Sequence, residues 1–217
     1  MDNAHIRYGF YLRPSAVMCR AQAEVHDLLR RQFGLHAAGS FMPHATIKGT
    51  FKSLVSEAEI IEALDGVVAG RPPFPVYNAG VIEMNRRGIM LSIQHLPDGR
   101  PNQPLQDLHE AALDVLLPMA SPDCEFTTPS ERIRERFHAH LTLAMADVPP
   151  FAFDELYDFI RDLGPIGPQL FMTEYLHLYG FESDAWGGKW WETLRWTLLH
   201  SWRLPPAESQ PAELKWK

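Results

Sequence analysis

The chain contains one short phrase twice, Phe-x-x-His-x-Thr followed by an aliphatic residue, at positions 41–47 and 137–143. Both copies lie in segments that alternate polar and apolar residues, a pattern that predicts a half-buried β-strand. Side chains alternate between the two faces of a strand, so each His and its Thr point to one face. The aliphatic residues point to the other face. The fold must therefore provide two similar strands, each with one polar and one apolar face.

The rest of the chain predicts strands and helices in alternation. Four helices are predicted. Apolar residues at helical spacing indicate one that stops at Gly34, and a Ser56–Glu59 capping box opens the second. The other two are predicted at 103–117 and 153–164. Strands are predicted at 5–12, 43–51, 74–84, 88–95, 136–145, 169–182 and 189–203. This order predicts an α+β fold that resembles a duplicated β-α-β lobe, with one motif in each half.

Composition limits the organisation and the partners. The chain has 217 residues, 46% of them hydrophobic, and no shift in composition that would mark a linker. We therefore expect one domain over residues 1–204, followed by a flexible C-terminal tail at 205–217. A net charge of −7 argues against a broad basic face for duplex DNA. No apolar run is long enough to predict a membrane span.

Other features predict a cytoplasmic monomer. The two cysteines form no CxxC motif, and the N-terminus lacks the basic and apolar regions of a signal peptide. A reducing cytoplasm is the simplest compartment for such a chain. A monomer is the expected state for an acidic protein with no repeat.

The paired motifs suit chemistry at a phosphodiester. A histidine titrates near neutrality, so one imidazole can take a proton while another donates one. A Thr hydroxyl two residues along can donate to a phosphate oxygen beside that imidazole. Two such pairs would surround one phosphate with an acid, a base and two hydroxyl donors. This chemistry needs no metal ion or other cofactor.

The motifs "HATI" at 44–47 and "HLTL" at 140–143 resemble those of the 2H phosphoesterase superfamily. Within it, the chain is similar to the bacterial 2′-5′ RNA ligase and cyclic phosphodiesterase-like proteins, over roughly residues 5–203. The resemblance implies a bilobal fold whose antiparallel sheets surround a central groove. It implies metal-independent cleavage or ligation at a 2′,3′-cyclic phosphate or a 2′-5′ linkage, in an RNA terminus or a small cyclic nucleotide.

Carried over by position, the resemblance assigns catalysis to His44 and His140 and phosphate binding to Thr46 and Thr142. Lys48 shares a strand face with His44 and is a candidate to assist phosphate binding in the groove, but an exposed strand-end charge is the favoured interpretation. His138 shares a face with His140 and is expected at the groove rim. A three-histidine zinc site formed by His138, His44 and His140 is the alternative.

Three further residues are weaker candidates. Tyr179 and Trp186 are candidates for stacking a nucleobase, although aromatic residues on strands commonly fill a core. Arg136, just before the second motif, is a candidate source of local positive charge. A binding module without catalysis and a metal hydrolase remain alternative functions. The substrate, the direction of reaction and the acid and base roles stay open.

Overall fold

A computed structural model of the chain describes residues 5–126 and 137–205. The strands are β1 (Arg7–Arg13), β2 (Ala45–Phe51), β3 (Phe74–Tyr77), β4 (Val81–Met84), β5 (Gly88–Ser92), β6 (His140–Met145), β7 (Leu170–Thr173), β8 (Tyr175–Glu182) and β9 (Arg195–Arg203). The α-helices are α1 (Ala16–Phe33), α2 (Glu57–Val68), α3 (Gln103–Leu116) and α4 (Phe153–Asp162).

The strands of the described residues form two antiparallel sheets. The larger sheet has seven strands in the order β4-β5-β6-β2-β1-β8-β9, and β3 pairs with β7 in a separate two-stranded sheet. The predicted α+β class with antiparallel sheets is therefore confirmed. No helix of the described residues combines the length and apolar character needed to cross a bilayer.

The two motif strands are neighbours in the larger sheet. β2 and β6 pair only through Ala45 and Leu141, whereas β1 and β8 pair along seven positions. This short junction separates β4, β5 and β6 from β2, β1, β8 and β9. The predicted arrangement of two lobes around a groove stays a prediction, but the junction brings the two halves of the sheet together at the motifs.

Local signals set the helix bounds. Ser15 caps α1 by accepting a hydrogen bond from the Met18 amide, and Gly34 ends the helix at φ 70°. That left-handed conformation favours glycine because it has no Cβ. The predicted capping box of α2 is present, with Ser56 and Glu59 bonded reciprocally. These caps place the helices where the sequence predicts them.

Two predicted strands are each divided in the structure. The predicted strand 74–84 becomes β3 and β4, because the Asn78 side chain bonds to Gly80 N and Ile166 O and turns the chain. The predicted strand 169–182 divides at Glu174 into β7 and β8. The last strand starts at Arg195, since Trp190–Glu192 form a 3-10 turn. The hairpin predicted between β4 and β5 is confirmed.

The outer part of the larger sheet is apolar on both faces. Even-numbered residues of β1 and β8, such as Phe10 and Leu178, join the main core. On the opposite face, three odd-numbered residues of these strands meet Met42, which precedes β2, in a second cluster of four buried side chains. We call it the aromatic cluster: Tyr11, Tyr179, Phe181 and Met42. This cluster lies directly beside the first motif.

Candidate active site

β2 and β6 make one pair, Ala45 with Leu141, and extending its register by one residue on each side would set the four motif side chains in a square. Ala45 faces Leu141, so the adjacent facing positions are His44 with Thr142 and Thr46 with His140. Facing residues of an antiparallel pair point to the same side of the sheet, and diagonal neighbours lie about 7–8 Å apart. The two histidines occupy one diagonal of this square. That placement would let one phosphate contact both imidazoles.

Each imidazole is oriented by a main-chain carbonyl two residues earlier. His44 Nδ1 lies 2.7 Å from Met42 O, and His140 Nδ1 lies 2.6 Å from His138 O. A carbonyl only accepts hydrogen bonds, so each Nδ1 must carry the hydrogen. The neutral ring then presents an unprotonated Nε2. Both motifs therefore hold their histidine in the tautomer that can accept a proton at Nε2.

Two aromatic rings, of Tyr11 and Phe41, also hold His44 in place. The Tyr11 ring contacts the His44 ring edge-on at 4.7 Å between centroids, and the Phe41 ring lies at 5.6 Å. Tyr11 is itself only 3% exposed and packs on Phe181. His44 thus rests on a rigid apolar support, which favours a single orientation of its imidazole.

The surroundings keep both imidazoles neutral. Burial lowers the pKa of His44 to about 4, and the nearby imidazoles of His140 and His26 act in the same direction. Burial also lowers the pKa of His140, while the hydrogen bond to the His138 carbonyl opposes this shift and the His138 imidazole adds to it. The influence of His140 on His44 agrees with their placement on one diagonal. A bound phosphate would oppose these shifts, because a negative charge favours the imidazolium.

Two side chains of α1 hold the second motif in place. Gln22 Nε2 and His26 Nε2 each lie 2.9 Å from the main-chain oxygen of Thr142. β6 separates from β2 beyond the Ala45–Leu141 pair, so this oxygen has no sheet partner on that side. The helix therefore supplies the hydrogen bonds that the diverging strands do not make.

Replacing Gln22 with alanine is expected to lower the free energy of unfolding by about 1–3 kcal/mol. Gln22 is 1% exposed, and its loss removes one donor to a buried carbonyl and leaves a cavity. Urea unfolding at pH 7 measures the change. Gln32→Ala, at an exposed position of the same helix, is the control and should change stability little. Equal effects of the two variants would contradict the proposed role of Gln22.

Two motif neighbours occupy different environments. Lys48 is 1% exposed, its Nζ donates to Gly49 O at 3.2 Å, and it lies 5.3 Å from the centre of the Phe51 ring. The interpretation of Lys48 as an exposed strand-end charge is therefore wrong, because irregular pairing of β1 and β2 turns this part of the strand inward. His138 is exposed and supplies the carbonyl that orients His140.

The remaining candidates lie around the aromatic cluster or beyond the described residues. The Tyr179 ring is 6% exposed and packs on Tyr11. Trp186 Nε1 donates to His5 O at 3.3 Å, and Arg7 lies over its ring at 5.5 Å. Both aromatic side chains support neighbouring residues in the structure, and base stacking by them stays a prediction. Arg136 lies outside the described residues.

His177, a buried histidine beside Tyr179 of the aromatic cluster, makes the stability of the protein depend on pH. His177 is 7% exposed, and burial lowers its pKa from 6.5 to about 4, helped by the charge of Arg13. Above pH 6.5 the folded and unfolded states are both neutral at this position. Below it only the unfolded chain takes up the proton, so the free energy of unfolding falls until the pH reaches about 4.

His177→Gln should flatten this dependence, since glutamine still accepts a hydrogen bond from the Tyr179 hydroxyl but does not titrate. Between pH 7 and pH 4.5 we expect the wild type to lose on the order of 2 kcal/mol more than the variant. Urea unfolding at both pH values gives the difference. A His5→Gln variant, changed at an exposed position, should follow the wild type. Parallel curves for wild type and His177→Gln would contradict the account.

Comparison with known proteins places the chain in a family. Residues 18–184 match the family described as the 2′-5′ RNA ligase superfamily, and this span includes both motifs. The chain belongs to the 2′-5′ RNA ligase superfamily. The membership inferred from the two His-x-Thr motifs, in the 2H phosphoesterases, is thereby confirmed. A comparison with curated protein sequences finds no match.

Solved structures share the fold of this 2′-5′ RNA ligase superfamily member. Escherichia coli LigT complexed with 3′-AMP is 18% identical with a TM-score of 0.52, covering 91% of this chain and 97% of LigT. The protein TT0787 of Thermus thermophilus is 15% identical with a TM-score of 0.54, covering 93% of this chain and 99% of that protein. At such identities the likeness establishes the fold alone.

Several features of the site carried no signal that sequence reasoning could use. Met42 and His138 act through main-chain carbonyls, which any residue provides. Gln22 and His26 lie more than 100 residues from the strand that they contact. Among residues 5–126 and 137–205, no group of three His, Cys, Asp or Glu side chains is placed to hold a metal ion.

Proposed function

We propose that this 2′-5′ RNA ligase superfamily member is a metal-independent phosphodiesterase. It acts on 2′,3′-cyclic phosphate or 2′-5′ phosphodiester bonds of RNA ends or small nucleotides. The observation that carries the proposal is the pairing of Ala45 with Leu141, which sets two His-x-Thr motifs side by side with each imidazole oriented through Nδ1.

Hydrolysis of a cyclic phosphate needs one proton removed and one supplied. A neutral imidazole takes the proton from water through Nε2 as the new phosphorus–oxygen bond forms. The protonated imidazole on the other side of the phosphate gives its proton to the 2′ or 3′ oxygen as that bond to phosphorus breaks. The product is a nucleotide with a free hydroxyl and a phosphate monoester. After each turnover, exchange with water restores the two protonation states.

The low pKa values favour the neutral form needed for the base. His44 stays neutral down to about pH 4 in the unliganded protein, so it is ready to accept a proton at neutral pH. The anionic phosphate then raises the pKa of both imidazoles, which allows the second one to be protonated in the complex. Thr46 and Thr142 donate hydrogen bonds to the non-bridging oxygens and stabilise their developing charge.

The same groups serve the reverse reaction. Attack of the 5′-hydroxyl of a second RNA end on a 2′,3′-cyclic phosphate forms a 2′-5′ linkage as the bond from phosphorus to the 3′ oxygen breaks, and the 3′ oxygen leaves as a free hydroxyl. The acid and base then exchange roles, as microscopic reversibility requires. In support of a nucleotide substrate, the similar protein LigT of Escherichia coli has been crystallised with 3′-AMP.

The test is a product-resolved assay in EDTA. The four nucleoside 2′,3′-cyclic phosphates and a 2′-5′-linked dinucleotide are incubated with the protein, and chromatography separates 2′- from 3′-phosphate products. Turnover in EDTA that is absent from a His44→Ala/His140→Ala double variant supports the proposal. Binding of nucleotides without turnover would identify a binding module instead. Activity that EDTA abolishes and Zn²⁺ or Mn²⁺ restores would identify a metal hydrolase.

A further inference from the structure

Two arginines and a tyrosine form a row across the outer strands. Arg13 of β1 faces Tyr175 of β8, which in turn faces Arg203 of β9. Facing residues of antiparallel strands share one side of the sheet. The Arg13 guanidinium carbon lies 4.0 Å from the centre of the Tyr175 ring, and that of Arg203 lies at 5.9 Å. We call these three residues the arginine row.

The arginine row has no acidic partner among the described residues. Several other arginines are neutralised, as Arg7 is by Glu125 at 2.9 Å and Arg86 by Asp154 at 2.7 Å. Within residues 5–126 and 137–205, no carboxylate oxygen lies within 4.0 Å of the Arg13 or Arg203 guanidinium groups. Arg13 Nε is also buried without a hydrogen-bond partner in that part of the chain. Two guanidinium groups without an acidic partner would attract an anion.

The next row adds a further donor. His177 faces Tyr11 on one side and Ser201 on the other, and its Nδ1 lies 2.9 Å from the Tyr179 hydroxyl. When the Tyr179 hydroxyl donates to Nδ1, the hydrogen of the neutral ring is on Nε2. His177 then presents an N–H group beside the arginine row. Its side chain is more than nine-tenths buried, so its position is fixed by packing.

The arginine row adjoins the candidate active site. Leu12 of β1 faces Ala45 of β2, so Arg13 and His44 are the next facing positions of these two strands. Neighbouring strands lie about 4.8 Å apart, and both side chains share the face that carries Tyr11 and Thr46. Arg13 leans over Tyr175 on the side away from β2. The row therefore begins one strand away from the catalytic pair and leads across β8 to β9.

We propose that Arg13, Arg203 and His177 bind a second phosphate group of the substrate. This inference rests on the proposed function, since it assumes that the first phosphate lies between His44 and His140. It specifies the substrate class as a nucleotide that carries a phosphate beyond the one that reacts. An oligoribonucleotide end meets this requirement, and a mononucleoside 2′,3′-cyclic phosphate does not. Tyr175 holds the Arg13 guanidinium in place by cation–π contact.

Binding to the full chain tests the second site without requiring turnover. Calorimetric titration compares three probes: adenosine 3′-phosphate, adenosine 3′,5′-bisphosphate and the dinucleotide ApA 3′-phosphate. We expect both two-phosphate probes to bind about 10- to 100-fold more tightly than the monophosphate, and the advantage to fall with added salt. Equal affinities would overturn the inference. Tighter binding of the dinucleotide alone would also overturn it, since the gain would then come from the second nucleoside.

Variants test whether the tighter binding of the two-phosphate probes depends on the arginine row. Arg13→Met and Arg203→Met should each remove most of the advantage of the bisphosphate and leave monophosphate affinity nearly unchanged. Arg203 is exposed, so its variant keeps the test valid if Arg13→Met unfolds. Arg87→Met, on the exposed turn between β4 and β5, controls for net charge and should keep the advantage. An equal loss for both ligands, or no loss, would refute the site.

Kinetics separate this inference from the proposed function. If cyclic phosphates are hydrolysed with no preference for a 5′-phosphorylated substrate, the second site is wrong while the function stands. If no phosphodiester is turned over but the bisphosphate preference depends on Arg13 and Arg203, the second site stands while the function fails.

Discussion

Replacing His44 or His140 with alanine is expected to lower kcat/KM for 2′,3′-cyclic phosphates by about 10²–10⁴-fold. Each variant removes one proton-transfer group, and neither neighbouring Thr hydroxyl can replace it. The fold should persist, because both imidazoles lie at the partly exposed surface of the motif strands. Initial rates in EDTA from pH 4 to pH 9 measure the loss.

The pH profile distinguishes loss of a catalytic group from general damage. The wild type should show two limbs, one for the base and one for the acid, and each variant should lose the limb of its missing imidazole. His5→Ala, at an exposed position on β1's N-terminal side, is the matched control and should keep both limbs. A loss below tenfold with an unchanged profile in either variant would rule out that histidine as an acid or base.

Gly9→Ala is expected to lower both the stability and the activity of the protein, although it lies outside the motifs. The Tyr11 ring lies back along its own strand over Gly9, and a Cβ at position 9 would come within 2.5 Å of Tyr11 Cε2. Tyr11 is almost fully buried against Phe181 and supports His44, so the ring has little room to move. Overpacking of this kind costs about 1–3 kcal/mol.

The free energy of unfolding, measured in urea, and the phosphodiesterase rate of the Gly9→Ala variant should therefore both fall. Displacement of Tyr11 also shifts the His44 imidazole. Gly66→Ala is the matched control. Gly66 lies within α2, and a Cβ there meets no atom within 4 Å, so this change should leave activity intact and stabilise the helix by about 0.5–1 kcal/mol. A Gly9→Ala protein with wild-type stability and activity would contradict the role given to Tyr11.

Local sequence patterns predicted the helices and most strands, but they could not predict which distant strands pair with each other. The capping box at Ser56 and the stop at Gly34 were predictable because the interactions lie within a few residues. The pairing of β3 with β7 was not, since those strands are almost 100 residues apart in sequence. Lys48 was misjudged because alternation along a strand does not reveal bulges in its pairing with β1.

The site shows the same division. His44, Thr46, His140 and Thr142 could be selected because the motif occurs twice with uncommon residue types. The carbonyls that orient the two imidazoles left no trace in the sequence, since a main-chain oxygen is present at every position. The arginine row joins three segments of the chain, at positions 13, 175 and 203, and only the sheet order brings them together.

A double-variant cycle tests most directly whether the two motifs form one active site. The rates of His44→Ala, His140→Ala and the double variant are compared on one cyclic phosphate in EDTA. Groups that act on the same phosphate as acid and base are strongly non-additive, so the double variant should be little slower than the slower single variant. Multiplicative losses, with the double variant slower by the product of the single effects, would contradict a shared site.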